Sequence, residues 1–331
     1  MRLTAFATLQ REGFGYVDAG AREGVHPMLA EIAPLVHVVG FEPDAEECQR
    51  LNAAAHDWRS ATYLPWGLGA RDAERPFHLC RSRGASSFYQ PNKALLNRFP
   101  DAQRYEVTDT QTVRVRSLDG LRHDSSARMP SHIDFIKLDI QGAELDALQG
   151  AQETLRQTVG VEVEVEFASL YEGQPLFRDV DAYLAERGFS LFKLRRKSWV
   201  RRNGQQRPRV SAGQLIAGDA LYLRDPLAVG GNAAWPAHQV EALVLAAVLY
   251  DLNDFALGVL ADPVLSQGIE AVAMARAIEQ RSRPLNGRGW HVMQEFFKGR
   301  AGLGDLYAWN QRRSWGRADS DKDFYTRVPP R

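Results

Sequence analysis

Cysteine is nearly missing from this chain. Its two cysteines, Cys48 and Cys80, are too few for a disulfide framework or a zinc cluster. A reduced, cytoplasmic setting is the matching expectation. Net charge is missing too, because 41 Lys and Arg balance 41 Asp and Glu. Such a chain has no long-range field to gather nucleic acid or an anionic membrane surface. Long hydrophobic runs are also absent. The longest, ALVLAAVLY (Ala242 to Tyr250), is about half of what a membrane span requires. The opening MRLTAFATLQREGFG lacks the apolar centre of a signal peptide. The eight histidines are scattered without metal-ligand spacing, so no metal is expected. Ser86 and Ser87 have no linked His/Asp signature, which argues against a serine nucleophile. No internal repeat is visible.

The rest of the composition is that of a folded chain. Apolar residues make up 44% and charged residues 25%, the balance of a globular protein. A length of 331 residues exceeds one small core and falls short of three domains. From Tyr16 to about Arg224, strand-like runs alternate with helical stretches. YVDAG, HVVGFEPD, HIDFIKLDI and GVEVEVEF read as strands. HPMLAEIAPLV, AEECQRLNAAA, AELDALQGAQETL and FRDVDAYLAERG read as helices. TVRVRSLDGL alternates like an edge strand. The pattern implies an α/β fold with a doubly wound, mostly parallel, Rossmann-like sheet. FSLFKLR and the strand-like end of SWVRRNGQQRPRVSAGQLIAGDALYLRD suggest a closing antiparallel hairpin with a basic loop. After Arg224 the Gly/Pro-rich DPLAVGGNAAWP reads as a linker. Helical stretches follow, with no strand pattern. Two units are expected, 1–224 and a helical appendage over 225–331 with a small core of its own.

Chemistry concentrates in two places. In YVDAGAREG a short apolar run ends in Asp18, and Gly20 and Gly24 follow. Ligands of open parallel sheets bind beyond the carboxyl ends of the strands, where glycine lets backbone approach them. The spacing is not the Gly-x-Gly-x-x-Gly of dinucleotide sites. Asp18 would repel a pyrophosphate and suits a cationic or hydroxyl-bearing ligand. Glu42 closes the second strand, 24 residues on, where a carboxylate can accept bonds from two ribose hydroxyls. Together they suggest S-adenosyl-L-methionine. A capping Asp18 with a surface Glu42 is the bland alternative, and the linked pair outweighs it. The second place is DFIKLDIQGAELDALQGA, Asp134 to Ala151. Asp139 and Glu144 fall at a strand-to-helix junction, where the helix N-terminus stabilises negative charge. Lys137 shares the side of the strand taken by Asp139.

Six motifs, VDAGAREG, GFEPD, GASSFY, VRSLDGL, DFIKLDIQGAELDALQGA and VEVEVEF, occur in the order and spacing of FkbM-type methyltransferases, which this chain resembles from about Tyr16 to Arg224. The resemblance implies methyl transfer from S-adenosylmethionine, commonly to a hydroxyl of a sugar or secondary metabolite. The chain departs from the family pattern at Gln141, where glutamate is usual.

A hydroxyl acceptor needs its proton removed during transfer. Asp139 and Glu144 lead as candidates, with Glu166 next. The outer two of Glu162, Glu164 and Glu166 are expected on a solvated edge face. Gly20, Gly24, Glu42, Asp18, Ser86 and Asp139 are the expected cofactor contacts. A small-molecule or glycan acceptor is the expected partner. Rival readings are a non-catalytic scaffold of the same fold and, on the basic hairpin alone, an RNA methyltransferase. The apolar stripe of the appendage would serve as a lid or a homodimer interface, with the interface preferred.

Overall fold

The computed structural model describes residues 3–22, 24–202, 212–228 and 235–282. Its strands are β1 (Phe14–Ala19), β2 (Val36–Phe41), β3 (Ser60–Leu64), β4 (Gly67–Leu68), β5 (Ala73–Cys80), β6 (Val107–Arg116), β7 (Phe135–Leu138), β8 (Gly160–Glu166), β9 (Phe189–Trp199) and β10 (Gln214–Arg224). Seven of them form one sheet in the order β3-β2-β1-β7-β8-β10-β9. The β3-β2-β1-β7-β8 stretch is parallel, and β10 returns antiparallel between β8 and β9. The strand order reverses direction beside β1, the place where such sheets open a crevice for ligands. β1 is buried along its whole length, as expected for a central strand covered on both faces.

The helices follow from local chemistry. They are α1 (Ala7–Glu12), α2 (Ala45–Ala53), α3 (Lys93–Leu96), α4 (Leu118–Arg122), α5 (Glu144–Gln149), α6 (Gln152–Leu155), α7 (Phe177–Ala185), α8 (Ala237–Leu249), α9 (Asn253–Ala261) and α10 (Ala271–Ser282). Asp44 starts α2 by accepting from the backbone N–H groups of Glu46 and Glu47. Pro27–Leu35 forms a 3-10 helix rather than the expected α-helix. Pro34 lies inside it and cannot donate to an α-helical ladder.

Three further expectations are corrected. TVRVR belongs to β6, the middle strand of a separate sheet ordered β4-β6-β5. It is not an edge of the main sheet. β8 is no solvated edge either, because β7 and β10 pair with its two sides. Glu162 and Glu166 are buried and Glu164 is half-buried. The run Ala242 to Tyr250 is covered inside its own chain. It packs in one cluster with Phe14, Tyr16, Val36 and Val38 of β1 and β2. A helix apolar on all sides is a core helix, and α8 shares the core of the sheet. Glu241 is its one fully buried carboxylate. It accepts from the N–H groups of Thr8 and Leu9, donors left open at the start of α1. Among the described residues no helix is long and apolar enough to cross a membrane. Most of the basic loop between Trp199 and Gly213, the WHVMQEFF stretch with His291, and the polar tail lie outside the described residues.

Candidate active site

A cleft of about 780 Å³ opens beyond the carboxyl ends of β1, β2, β7 and β8. Its volume lies within the range of small-molecule sites. Gly20, Gly24 and Glu42 line one side, and Lys137, Asp139 and Gln141 line its middle. Glu162, Glu164, Arg195 and Asp219 line the other side, and Ser86 and Trp66 also reach it.

The first side is made mainly of backbone. After β1 the chain turns at Gly20, with φ +81°. The N–H groups of Gly20 and Ala21 both donate to the carbonyl of Phe41, at 3.0 and 3.2 Å. This pins the turn to the end of β2. A Cβ at Gly20 would stand 2.0 Å from the Asp139 carbonyl oxygen, so only glycine lets the β1 and β7 ends meet. Gly24 also has a positive φ, +78°, but open space beside it. Glu42 is buried, and one carboxylate oxygen accepts from the Asp44 N–H at 2.9 Å. Burial pushes its pKa up, against that bond and the nearby Arg22.

Asp18 does not line the cleft. It is fully buried, and Lys137 Nζ holds one of its oxygens at 3.1 Å. The other oxygen has no hydrogen-bond partner. Burial raises the Asp18 pKa against the pull of Lys137. Lys137 therefore stands between Asp18 and the cleft, and Asp18 bears on the cleft through it.

The middle and far side form an interlocked polar network. Gln141 sits in the left-handed region at φ +56°. Its Nε2 donates to Asp139 Oδ1 at 2.8 Å and to Glu164. The Tyr171 hydroxyl shares its proton between the Ala85 carbonyl at 2.9 Å and Gln141 Oε1 at 3.1 Å. Lys197 Nζ bridges Glu164 at 2.6 Å and Asp219 at 2.9 Å, and Arg195 Nε reaches Asp219 at 2.5 Å. Burial works to raise the Asp139 pKa, but Lys137, Glu164, Lys197 and Gln141 outweigh it and hold the carboxyl below its usual range. Glu164 goes the other way, pushed well up by burial and by the charge on Asp139.

Two expected catalytic residues do not reach the cleft wall. Glu144 is buried and accepts from the N–H groups of Ile140 and Gly142, both at 2.9 Å. It holds the turn that presents Asp139 and Gln141. Burial pushes its pKa up to about 8 despite those bonds. Glu166 is buried at the end of β8, also with a raised pKa from burial and from Glu144 and Glu164. Ser86 lines the cleft, and its hydroxyl accepts from the Cys80 N–H at 3.1 Å.

Reading the sequence missed Glu164, Lys197, Arg195 and Asp219 as one group. A signal for them exists. Lys193, Arg195 and Lys197 alternate along β9 just as Glu162, Glu164 and Glu166 alternate along β8, and β10 sets Asp219 opposite both Glu164 and Arg195. The basic hairpin that raised the RNA reading thus turns Arg195 and Lys197 inward onto acids.

The family model for the methyltransferase FkbM domain matches residues 18–191, more than half of the chain. The 2-O-methyltransferase NoeI of Sinorhizobium fredii is 27% identical over 166 residues. That alignment covers 48% of this chain and 65% of NoeI, so the chain spans less than two thirds of this relative. Among solved structures, the methyltransferase FkbM of Methylobacillus flagellatus aligns with 64% of this chain and 44% of that one, at 17% identity and a TM-score of 0.34. The magnesium protoporphyrin IX methyltransferase of Synechocystis, with S-adenosylmethionine bound, aligns with 67% of this chain and 76% of that one, at 11% identity and a TM-score of 0.31. The stretch matched by the family model runs from Asp18 through the glycine turn, Glu42, the Asp139 turn and β8, and this chain belongs to the FkbM methyltransferase family.

Proposed function

We propose that this protein transfers a methyl group from S-adenosylmethionine to a hydroxyl of a sugar, glycan precursor or secondary metabolite. The observation that carries the reading is the single cleft joining the glycine turn and Glu42 to Asp139. Family membership and the likeness to the 2-O-methyltransferase NoeI support it.

The donor set fits such a cofactor. Glu42 spends one oxygen on Asp44 and has the other for a ribose diol. The turn at Gly20 and Gly24 presents backbone without side chains to the amino-acid end. Lys137 and the carboxylates beyond it lie where the methyl and the acceptor would meet. Bound S-adenosylmethionine supplies an electrophilic methyl carried by a cationic sulfur. The chain must then hold the acceptor oxygen in line with that methyl. Asp139 is our candidate for that role: it lines the cleft, and its lowered pKa leaves it ionised and able to accept a hydroxyl hydrogen bond. A base of low pKa takes up a proton poorly, so Asp139 acts more by placing the hydroxyl than by retaining its proton. Glu144 serves through the turn that carries Asp139.

Calorimetric titration with S-adenosylmethionine, followed by labelled-methyl transfer to a panel of hydroxylated glycans, tests the reading. Asp139→Asn should keep cofactor binding and lose roughly 10²-fold or more in turnover. A folded chain that fails to bind the cofactor would favour the scaffold reading, and label on RNA instead of glycans would favour the RNA reading.

A further inference from the structure

The opposite end of the sheet holds a second polar cluster that methyl transfer does not use. Glu12 ends α1, His132 precedes β7, and His238 stands in the first turn of α8. A ligand-capable atom from each lies within 4.8 Å of the other two. His238 Nδ1 is 3.1 Å and His132 Nε2 is 3.6 Å from the same oxygen, Glu12 Oε2. Arg11 takes the other oxygen of Glu12 at 3.3 Å. The two imidazole rings stack with centroids 4.1 Å apart. A cavity of about 410 Å³ adjoins them.

The hydrogen bonding of His238 makes the cluster informative. Its Nε2 lies 2.8 Å from Asp134 Oδ1, while Asp134 Oδ2 accepts from the Gly15 N–H at 2.8 Å. Asp134 is buried and fixed, so the Nε2 proton of His238 points at it. In the neutral ring this leaves Nδ1 as a lone pair. That lone pair is buried, has no hydrogen-bond partner, and faces the Glu12 carboxylate. Two acceptors at 3.1 Å repel unless a cation or a proton lies between them. A carboxylate behind a histidine, with the other ring nitrogen turned to a common point, is the arrangement that orients imidazole toward a metal.

We propose that Glu12, His132 and His238 bind a divalent transition-metal ion of the zinc class, with Asp134 orienting His238. Two imidazoles and a carboxylate suit zinc, and a fourth position is left for water. Ligand atoms around a tetrahedral ion with bonds of about 2.0–2.1 Å stand roughly 3.4 Å apart. The two separations from Glu12 Oε2 bracket that spacing. The ion would join α1, the entry to β7 and α8, three segments distant in sequence. His132 lies before β7 and Asp139 just after it, so the two sites flank opposite ends of that strand, and the metal site is structural rather than part of the methyl-transfer cleft.

The test uses the full chain purified without a polyhistidine tag and stripped with a chelator. Zinc titration by calorimetry should show one ion per chain and a rise in Tm, since an ion binding only the folded state stabilises it. Cobalt(II) in its place should give visible absorption bands of a four-coordinate site. His132→Ala and Glu12→Gln, both at partly exposed side chains, should keep the native circular dichroism and weaken zinc roughly tenfold or more. No zinc binding by the parent chain would overturn the proposal and leave a protonated His238 as the group that faces Glu12. Equal binding by parent and both folded variants would overturn it as well, placing the ion elsewhere.

Discussion

The two sides of the cleft are built on different principles. The β1–β2 side is largely backbone, with one half-engaged acid, Glu42, and Arg22 held by Asp44. Among the described residues, Glu42 is the carboxylate there that both lines the cleft and spends only one oxygen on the backbone. The β8–β10 side is crowded with charge, and its groups hold one another. Lys197 is bound by Glu164 and Asp219, Arg195 by Asp219, and Gln141 by Asp139, Glu164 and Tyr171. A side made of backbone and spare acceptors can change partners when a ligand arrives. A side of interlocked, mostly half-buried charges resists a change of partner, because breaking one pair leaves a partly desolvated charge uncompensated. Under the proposed function, the first side would recognise the cofactor and the second would be a rigid wall against which the acceptor is held.

The widest test of this contrast is pH. Glu144, Glu164 and Glu166 all carry raised pKa values from burial, with Glu144 up to about 8. A carboxyl whose folded pKa is raised binds its proton more tightly when folded. Its stabilisation is fully present below the ordinary glutamate value of 4.5 and is lost as pH rises to the folded value. Each unit of difference is worth about 1.4 kcal/mol, so urea midpoints should fall by an amount equivalent to several kcal/mol between mild acid and pH 8. Glu144→Gln should flatten part of that fall. A midpoint that climbs over this range would break the picture of desolvated acids in that side and behind it. Next in size is Lys137→Ala. It strips the buried Asp18 of its one cation, and should cost about 3–5 kcal/mol in chemical denaturation. Adding Asp18→Asn should recover much of the loss. No rescue would mean that Lys137 stabilises the fold through the cleft side instead.

The same contrast governs how far the site could be read from sequence. The backbone side was legible. A strand ending in glycines and a second strand ending in an acid have a fixed geometry in any doubly wound sheet, and the expected parallel core stands in the structure. The wall was less so. Its members come from β7, β8, β9 and β10, and their meeting depends on β10 passing between β8 and β9. The alternation of Glu162, Glu164 and Glu166 was seen, but alternation alone does not tell an exposed edge from a strand facing inward onto cations. The apolar stripe of α8 posed the same difficulty. A helix apolar on every side says that it is covered, and says nothing of whether its own sheet or another chain covers it.

The recognition side makes a smaller and more local forecast. Glu42→Ala should leave the urea midpoint near that of the parent, because Glu42 holds only the Asp44 N–H and a distant Arg22. Cofactor affinity should fall tenfold or more, since hydrogen bonds to a charged group are worth about 1.5–3 kcal/mol each. Calorimetry on the folded variant measures it. If affinity holds while stability drops, Glu42 belongs with the wall and the contrast fails at its clearest residue.

Gly24→Ala is the finest probe, because it separates backbone strain from ligand approach at one position. The φ of +78° disfavours alanine, and adopting it costs about 1–2 kcal/mol of stability. Sterics inside the protein add little. The nearest atom to the new Cβ would be Leu51 Cδ2 at 3.8 Å, an ordinary contact. Strain alone therefore predicts a small drop in the urea midpoint and an unchanged affinity for S-adenosylmethionine in the folded variant. Gly24 also lines the cleft, however, and a methyl added there enters space that a ligand lying on the turn would use. The recognition side as described predicts that affinity falls as well, by a factor larger than the stability loss accounts for. A variant that loses stability but binds as tightly as the parent would move the ligand off Gly24 and leave the Gly20 turn and Glu42 to carry recognition.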